Sequence, residues 1–168
     1  MAYAGEPGEA TSTMKAYVHA DGDHMDFLWN VDCSVGQGGQ NNLEADVSYI
    51  QWYYKLAAAQ PATPPERREV YGQVRVTGRC DGTSGDPLVQ AIVLHQQTLR
   101  HPKVDGRISV ATGAGKIDGA SAFFVLRLGA RFAKMFPQFW PRLDLMPQCP
   151  TAVAKASLAA IPNPPPIS

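Results

Sequence analysis

The sequence has 168 residues, enough for one domain with a sizeable core on the usual scale of roughly 100–200 residues per domain. Hydrophobic residues make up 45%, which argues against disorder throughout, and 15 Lys and Arg balance 15 Asp and Glu, which argues against a dedicated nucleic-acid binder. With 15 glycines and 14 prolines, long connections between elements are expected.

The first residues, Met1 to Glu9, show no basic start and no apolar run, and no 18-residue apolar stretch follows. The expectation is synthesis in the cytoplasm without a signal peptide and without a membrane span. Residues 1–30 read as an N-terminal arm with a short strand over Met14–His19. The turn from His19 to Asp26 lacks the closing Glu of a calcium loop, so it reads as solvated and no metal is expected. Phe27–Val35 is a second apolar stretch that runs into Gly36-Gln-Gly-Gly-Gln-Asn-Asn42.

A helix is predicted over residues 43–59, capped by Asn41 or Asn42, with Leu43, Val47, Ile50, Tyr54 and either Ala57 or Ala58 on its apolar face. Gln60–Glu69 reads as a proline-stiffened loop and Val70–Val76 as a strand or extended segment. Asp86-Pro87, a capping side chain before proline at the first helical position, opens a second helix. Its buried face is expected to hold Leu88, Ala91, Ile92, His95 and Leu99. Two similar units, Lys103-Val-Asp-Gly and Lys116-Ile-Asp-Gly, precede a third helix over residues 121–134, and Thr151–Ala160 reads as one more short helix. The fold class is therefore mainly α: three helices over residues 31–134, short strand-like arms, and an aromatic, proline-rich segment over residues 135–168.

Few residues point to catalysis. His19, His24, His95 and His101 accompany neither a Gly-x-Ser-x-Gly elbow nor a His-Glu-x-x-His helix. A Cys/His cell-wall amidase built on Cys33 or Cys80 needs a spatial partner that sequence does not show. Cys33, Cys80 and Cys149 are too widely spaced for a zinc site and read as reduced buried thiols, with a Cys33–Cys80 bridge as the alternative in an oxidising compartment. Gln51 and Gln96, near the inner ends of their helices, have amides long enough to bond loop backbone. Of the consecutive rings Trp52, Tyr53 and Tyr54, only Tyr54 falls on the apolar stripe. At least one of the other two is expected at the surface, to stack on a sugar or meet a partner, unless a terminal segment covers them. Phe136, Phe139, Trp140, Leu143, Leu145 and Met146 are too apolar to stay bare, and are expected to pack back on the helices or into an assembly.

Five segments occur in an order that carries a resemblance. They are Ser34-Val-Gly-Gln-Gly-Gly-Gln-Asn41, Asp46-Val-Ser-Tyr-Ile-Gln51, Val76-Thr-Gly-Arg-Cys-Asp-Gly82, Ala91-Ile-Val-Leu-His-Gln96 and Gly115-Lys-Ile-Asp-Gly119. Over residues 34–132 the chain resembles the peptidoglycan-binding-domain superfamily, in the form attached to type VI secretion effectors. The resemblance implies a non-enzymatic wall-binding module without cofactor, delivered to the periplasm by a secretion apparatus, alone or as a homo-oligomer or effector complex. It implies a structural motif of Gly36, Gly38, Gly39, Gln51, Gly78, Cys80 and Gly82. Its implied ligand-binding candidates are Thr77, Arg79, His95, Gln96 and Asp118, with Trp52 and Tyr53 added from the aromatic run. The reading from a different class is a structural adaptor that keeps the fold without the ligand and uses Trp52, Tyr53 and the C-terminal aromatics for assembly.

Overall fold

The computed structural model describes residues 16–21, 24–111 and 124–160, and the side chains of those from residue 29 on. The described chain is mainly helical. An antiparallel hairpin comes first, β1 (Ala16–Asp21) against β2 (His24–Trp29), with Ala16 opposite Trp29 and Asp21 opposite His24. Helix α1 (Glu44–Ala59), α2 (Pro65–Gly72), α3 (Pro87–Thr98), α4 (Phe124–Met135) and α5 (Thr151–Ala160) follow. A minimal two-residue ladder pairs β3 (Val35–Gly36) with β4 (Arg107–Ile108), Val35 opposite Ile108. A single 3₁₀ turn, Leu143–Leu145, lies between α4 and α5.

Helix α1 is the axis of the molecule. Only Glu44, Lys55 and Ala59 of its residues are exposed, so the one-sided apolar stripe read from the sequence is corrected to a helix covered all round. That explains why Trp52, Tyr53 and Tyr54 are all buried although neighbours on a helix diverge: Trp52 and Tyr53 meet α4, and Tyr54 meets Tyr71 of α2 and His95 of α3. Phe132 of α4 stacks on Tyr49, with ring centroids 5.2 Å apart, and touches Trp52 at 4.9 Å and Tyr53 at 5.4 Å. Polar residues of α1 are buried because the backbone meets them. Asp46 accepts from the amides of Asp32 (3.0 Å) and Cys33 (2.9 Å), tying the chain after the hairpin to the helix.

Several expectations need correction. Neither Asn41 nor Asn42 caps α1; Leu43 occupies that position with no side-chain cap, and Asn41 instead closes the glycine turn. Asn41 accepts from the Gly36 amide at 2.7 Å and donates to the Gly36 carbonyl at 2.9 Å. The segment expected to be extended from Val70 is in its first half the end of α2, since Pro65 sits in the first helical turn where its missing N–H costs nothing. Leu99 lies just past α3 and is 37% exposed, not on the buried face. The cap of α3 is as read: the Asp86 carboxylate accepts from the Leu88 amide at 2.8 Å.

The C-terminal segment closes the core. Leu143, Met146, Val153 and Ala156 are buried in the same cluster as the residues of α1, α3 and α4. Two indoles fix it: Trp29 Nε1 donates to the Pro141 carbonyl at 2.9 Å and Trp52 Nε1 to the Pro147 carbonyl at 3.0 Å. Among the described residues no helix is long and apolar enough to cross a membrane.

Candidate functional site

Two buried glutamines each hold a glycine turn, and together they build the end of the molecule where the site lies. Gln51 of α1 accepts at Oε1 from the amides of Thr77 and Gly78, both at 2.9 Å, and donates from Nε2 to the Arg79 carbonyl at 2.9 Å. Gln96 of α3 repeats the device: Oε1 accepts from the Gly106 amide at 2.9 Å, and Nε2 donates to the Arg107 carbonyl (3.1 Å) and the Asp105 carboxylate (3.2 Å). Each turn carries glycine at positive φ, +74° at Gly78 and +69° at Gly106, a conformation that side chains with a Cβ rarely adopt. The turns are therefore Val76-Thr-Gly-Arg-Cys80 and Val104-Asp-Gly-Arg-Ile108, one pattern used twice. The sequence singles out both, but it pairs the second, as Lys103-Val-Asp-Gly106, with Lys116-Ile-Asp-Gly119, which lies outside the described residues, and not with the first. The shared Val-x-Gly-Arg string was the available signal.

The glycine turn after β3 docks onto both. Gln37 N donates to the Gly106 carbonyl (2.9 Å) and Gly38 N to the Gly82 carbonyl (3.2 Å), so three loops distant in sequence meet at one end. A Cβ on Gly36 would run into the Gly106 carbonyl, which is why glycine stands at that crossing.

Beside the first turn lies an open cleft of about 380 Å³, walled by Gln51, Gln73, Val74, Arg75, Thr77, Arg79 and the start of α3 at Asp86–Leu88. Its polar inventory is uneven. The Asp86 carboxylate is occupied by the Leu88 amide and, at 3.1 Å, the Asp81 amide. The Thr77 hydroxyl donates to the Arg79 carbonyl (3.1 Å) and accepts from Gln51 Nε2 (3.2 Å). Arg75 and Arg79, both exposed, make no ion pair with a described residue, so the lip presents two uncommitted guanidinium forks.

The sequence candidates divide on this geometry. Thr77 and Arg79 stand on the cleft, and Gln51 holds its wall. Gln73 and Arg75 also line it and were missed, because no motif marks an exposed polar residue just past a helix, and Asp86 lines it too, although the sequence marks it only as the cap of α3. Gln96 is buried and spent on the Gly106 turn. Asp118 lies outside the described residues. The expectation that Trp52 or Tyr53 reaches the surface is corrected: they are 0% and 3% exposed, Trp52 under the C-terminal segment and Tyr53 against α4 and His95.

His95 is also enclosed. Its ring stacks on Tyr53 (5.7 Å, 8° between planes), meets Tyr71 and Phe124 edge-on, and shares Nδ1 with the Tyr54 hydroxyl at 3.1 Å. Burial, reinforced by the charges of Arg131, Arg67 and Arg127, pushes its pKa down to about 3, so the ring is neutral at physiological pH. Burial likewise pushes the Cys80 thiol up to about 11 and the Cys149 thiol up to about 12, against thiolate formation. None of the three cysteines forms a disulfide, which corrects the Cys33–Cys80 alternative. No group of three metal-ligating side chains occurs among the described residues.

Compared with protein-family models, with curated proteins and with solved structures, the chain finds no match.

Proposed function

We propose that the chain is a non-enzymatic module that binds cell-wall peptidoglycan for a bacterial type VI secretion or contractile-injection apparatus or one of its effectors, with delivery to the periplasm by that apparatus. The observation that supports this reading is that Thr77 and Arg79, both implied by the family resemblance, line one open cleft whose Arg75 and Arg79 guanidiniums have no carboxylate partner among the described residues. A stem peptide offers carboxylates to those forks, and Gln73 adds amide donors and an acceptor for peptide or sugar groups. Val74 and Leu88 supply an apolar floor. Binding of this kind is wet, rim-exposed and salt-sensitive. Trp52 and Tyr53 take no part in it.

Sedimentation with purified sacculi tests the proposal. The full chain is expected in the pellet at low salt, and an Arg75→Ala/Arg79→Ala variant of unchanged melting temperature in the supernatant. Wild-type protein left wholly in the supernatant overturns wall binding and leaves the adaptor reading. That reading would then need a surface other than Trp52 and Tyr53, which are buried.

A further inference from the structure

The two glutamine-held turns match down to one oxygen of the side chain that precedes each glycine. In the first, the Thr77 hydroxyl accepts from the Arg79 amide and from Gln51 Nε2, both at 3.2 Å. In the second, Asp105 Oδ1 accepts from the Arg107 amide at 3.0 Å and from Gln96 Nε2 at 3.2 Å. What differs is the rest of the side chain. Asp105 carries a second oxygen, Oδ2, which faces the Arg107 guanidinium at 3.8 Å. The other branch of threonine is a methyl group, which offers a cation nothing to pair with.

The consequence falls on the two arginines. Arg107 has its charge met by its own turn and lies against the glycine turn after β3, where a Cβ added to Gly38 would stand 4.0 Å from its Nη1. Arg79 has no such partner. It is exposed, makes no ion pair with a described residue, and lines the open cleft of about 380 Å³. The acidic residue that lines the same cleft, Asp86, is held by the Leu88 and Asp81 amides. A guanidinium left bare by its own turn, at the lip of a cleft, is matched by a carboxylate brought from outside.

We propose that Thr77, on the reading that the cleft binds the wall, is its specificity-determining residue: by withholding the second oxygen that Asp105 gives to Arg107, it reserves Arg79 for a carboxylate of the wall peptide. An aspartate at position 77 would meet Arg79 from within, as the one at position 105 meets Arg107. Threonine keeps the bonds that shape the turn and leaves the charge to the ligand.

The test uses the full chain and purified sacculi in two forms, native and with their carboxyl groups converted to amides. Wild type is expected to bind the amidated form at least about tenfold more weakly than the native one. Thr77→Asp is expected to bind native sacculi at least about fivefold more weakly than wild type, at a similar melting temperature, and to narrow the difference between the two forms. Thr77→Asn keeps an oxygen for the Arg79 amide and adds no charge, so it is expected to weaken binding by a smaller factor. Gln73→Asp adds the same charge to the cleft outside the turn, and its effect is also expected to be smaller than that of Thr77→Asp. Wild type absent from both pellets overturns wall binding and the role of Thr77 with it. Equal binding of wild type to the two forms overturns the role of Thr77 and leaves wall binding standing. So does undiminished binding by Thr77→Asp, or a loss as large with Thr77→Asn or Gln73→Asp.

Discussion

Gln51 and Gln96 each spend a whole amide on backbone, and that sets what their loss costs. Truncating Gln51 to Ala strands the buried Gly78 amide, removes the partner of the Thr77 amide and leaves the Arg79 carbonyl with the Thr77 hydroxyl alone. Truncating Gln96 strands the buried Gly106 amide and takes a donor from the Arg107 carbonyl. Leaving a buried backbone group unpaired costs about 1–3 kcal/mol, so each variant is expected to lose about that much or slightly more, read as a fall in the urea midpoint at unchanged slope. Gln51→Ala is further expected to weaken any ligand of the cleft, because the wall bearing Thr77 and Arg79 hangs from it, whereas Gln96→Ala leaves that ligand in place. Equal effects of the two on binding would mean that the cleft is not the site.

His95 gives the molecule a pH dependence with a definite sign. Its folded pKa of about 3 lies below the ordinary 6.5 of an unfolded chain. Above pH 6.5 both states hold the ring neutral and stability is full. As pH falls through 6.5 the unfolded chain takes up a proton that the folded one refuses, and stability drains at up to about 1.4 kcal/mol per pH unit until the folded value is reached. Replacing His95 with Gln removes that proton uptake. The variant is expected to be less stable than wild type at pH 7.5 and to lose stability less steeply down to pH 4. Parallel curves of unfolding free energy against pH for the two proteins would contradict the neutral buried ring.

At the scale of elements, the segment after α4 is a structural part of the helical core. Leu143, Met146 and Val153 are buried, each worth roughly 1.5–3 kcal/mol, and the Pro141 and Pro147 carbonyls receive two indole N–H groups. Cutting the chain after Ala133 is therefore expected to unfold it or leave a loosely packed state. A domain holds only about 5–15 kcal/mol in hand, and two buried indole donors would lose their acceptors. A truncated chain that kept its near-ultraviolet circular dichroism and melting temperature would refute this. What the sequence made legible here was local: the Asp86-Pro87 start of α3, the long α1, and the short α5 between prolines all rest on caps and breakers acting within a few residues. What it hid depends on neighbours. No periodicity in Asp46-Val-Ser-Tyr-Ile-Gln51 shows that walls will stand on every side of α1, so at least one of Trp52 and Tyr53 reads as a surface ring unless a terminal segment covers it. Prolines beside Glu66 read as a loop, although one of them begins α2. At the cleft, Thr77 and Arg79 were legible through a string pattern, whereas Gln73 and Arg75 acquire meaning only from the turn that Gln51 pulls against them.

At the scale of the whole molecule, Trp29, at the end of the hairpin, takes its acceptor from Pro141, 112 residues later, and Trp52 takes its acceptor from Pro147, 95 residues later. Contacts of such separation are made late, since the loop must be closed before they reward it. During synthesis the N-terminal hairpin and α1 emerge long before their covering segment exists. Trp52 and the neighbouring rings of α1 therefore stay uncovered until the segment bearing Pro141 and Pro147 has emerged. Exposed apolar surface of that kind is aggregation-prone until it is covered. Conversely, a pull on the C-terminus would peel away α5 and the 3₁₀ turn first and open the core at its oldest residues. Mechanical resistance then resides in the covering segment from Leu143 to Ala160, and a force applied from that side meets the cover before it meets the axis.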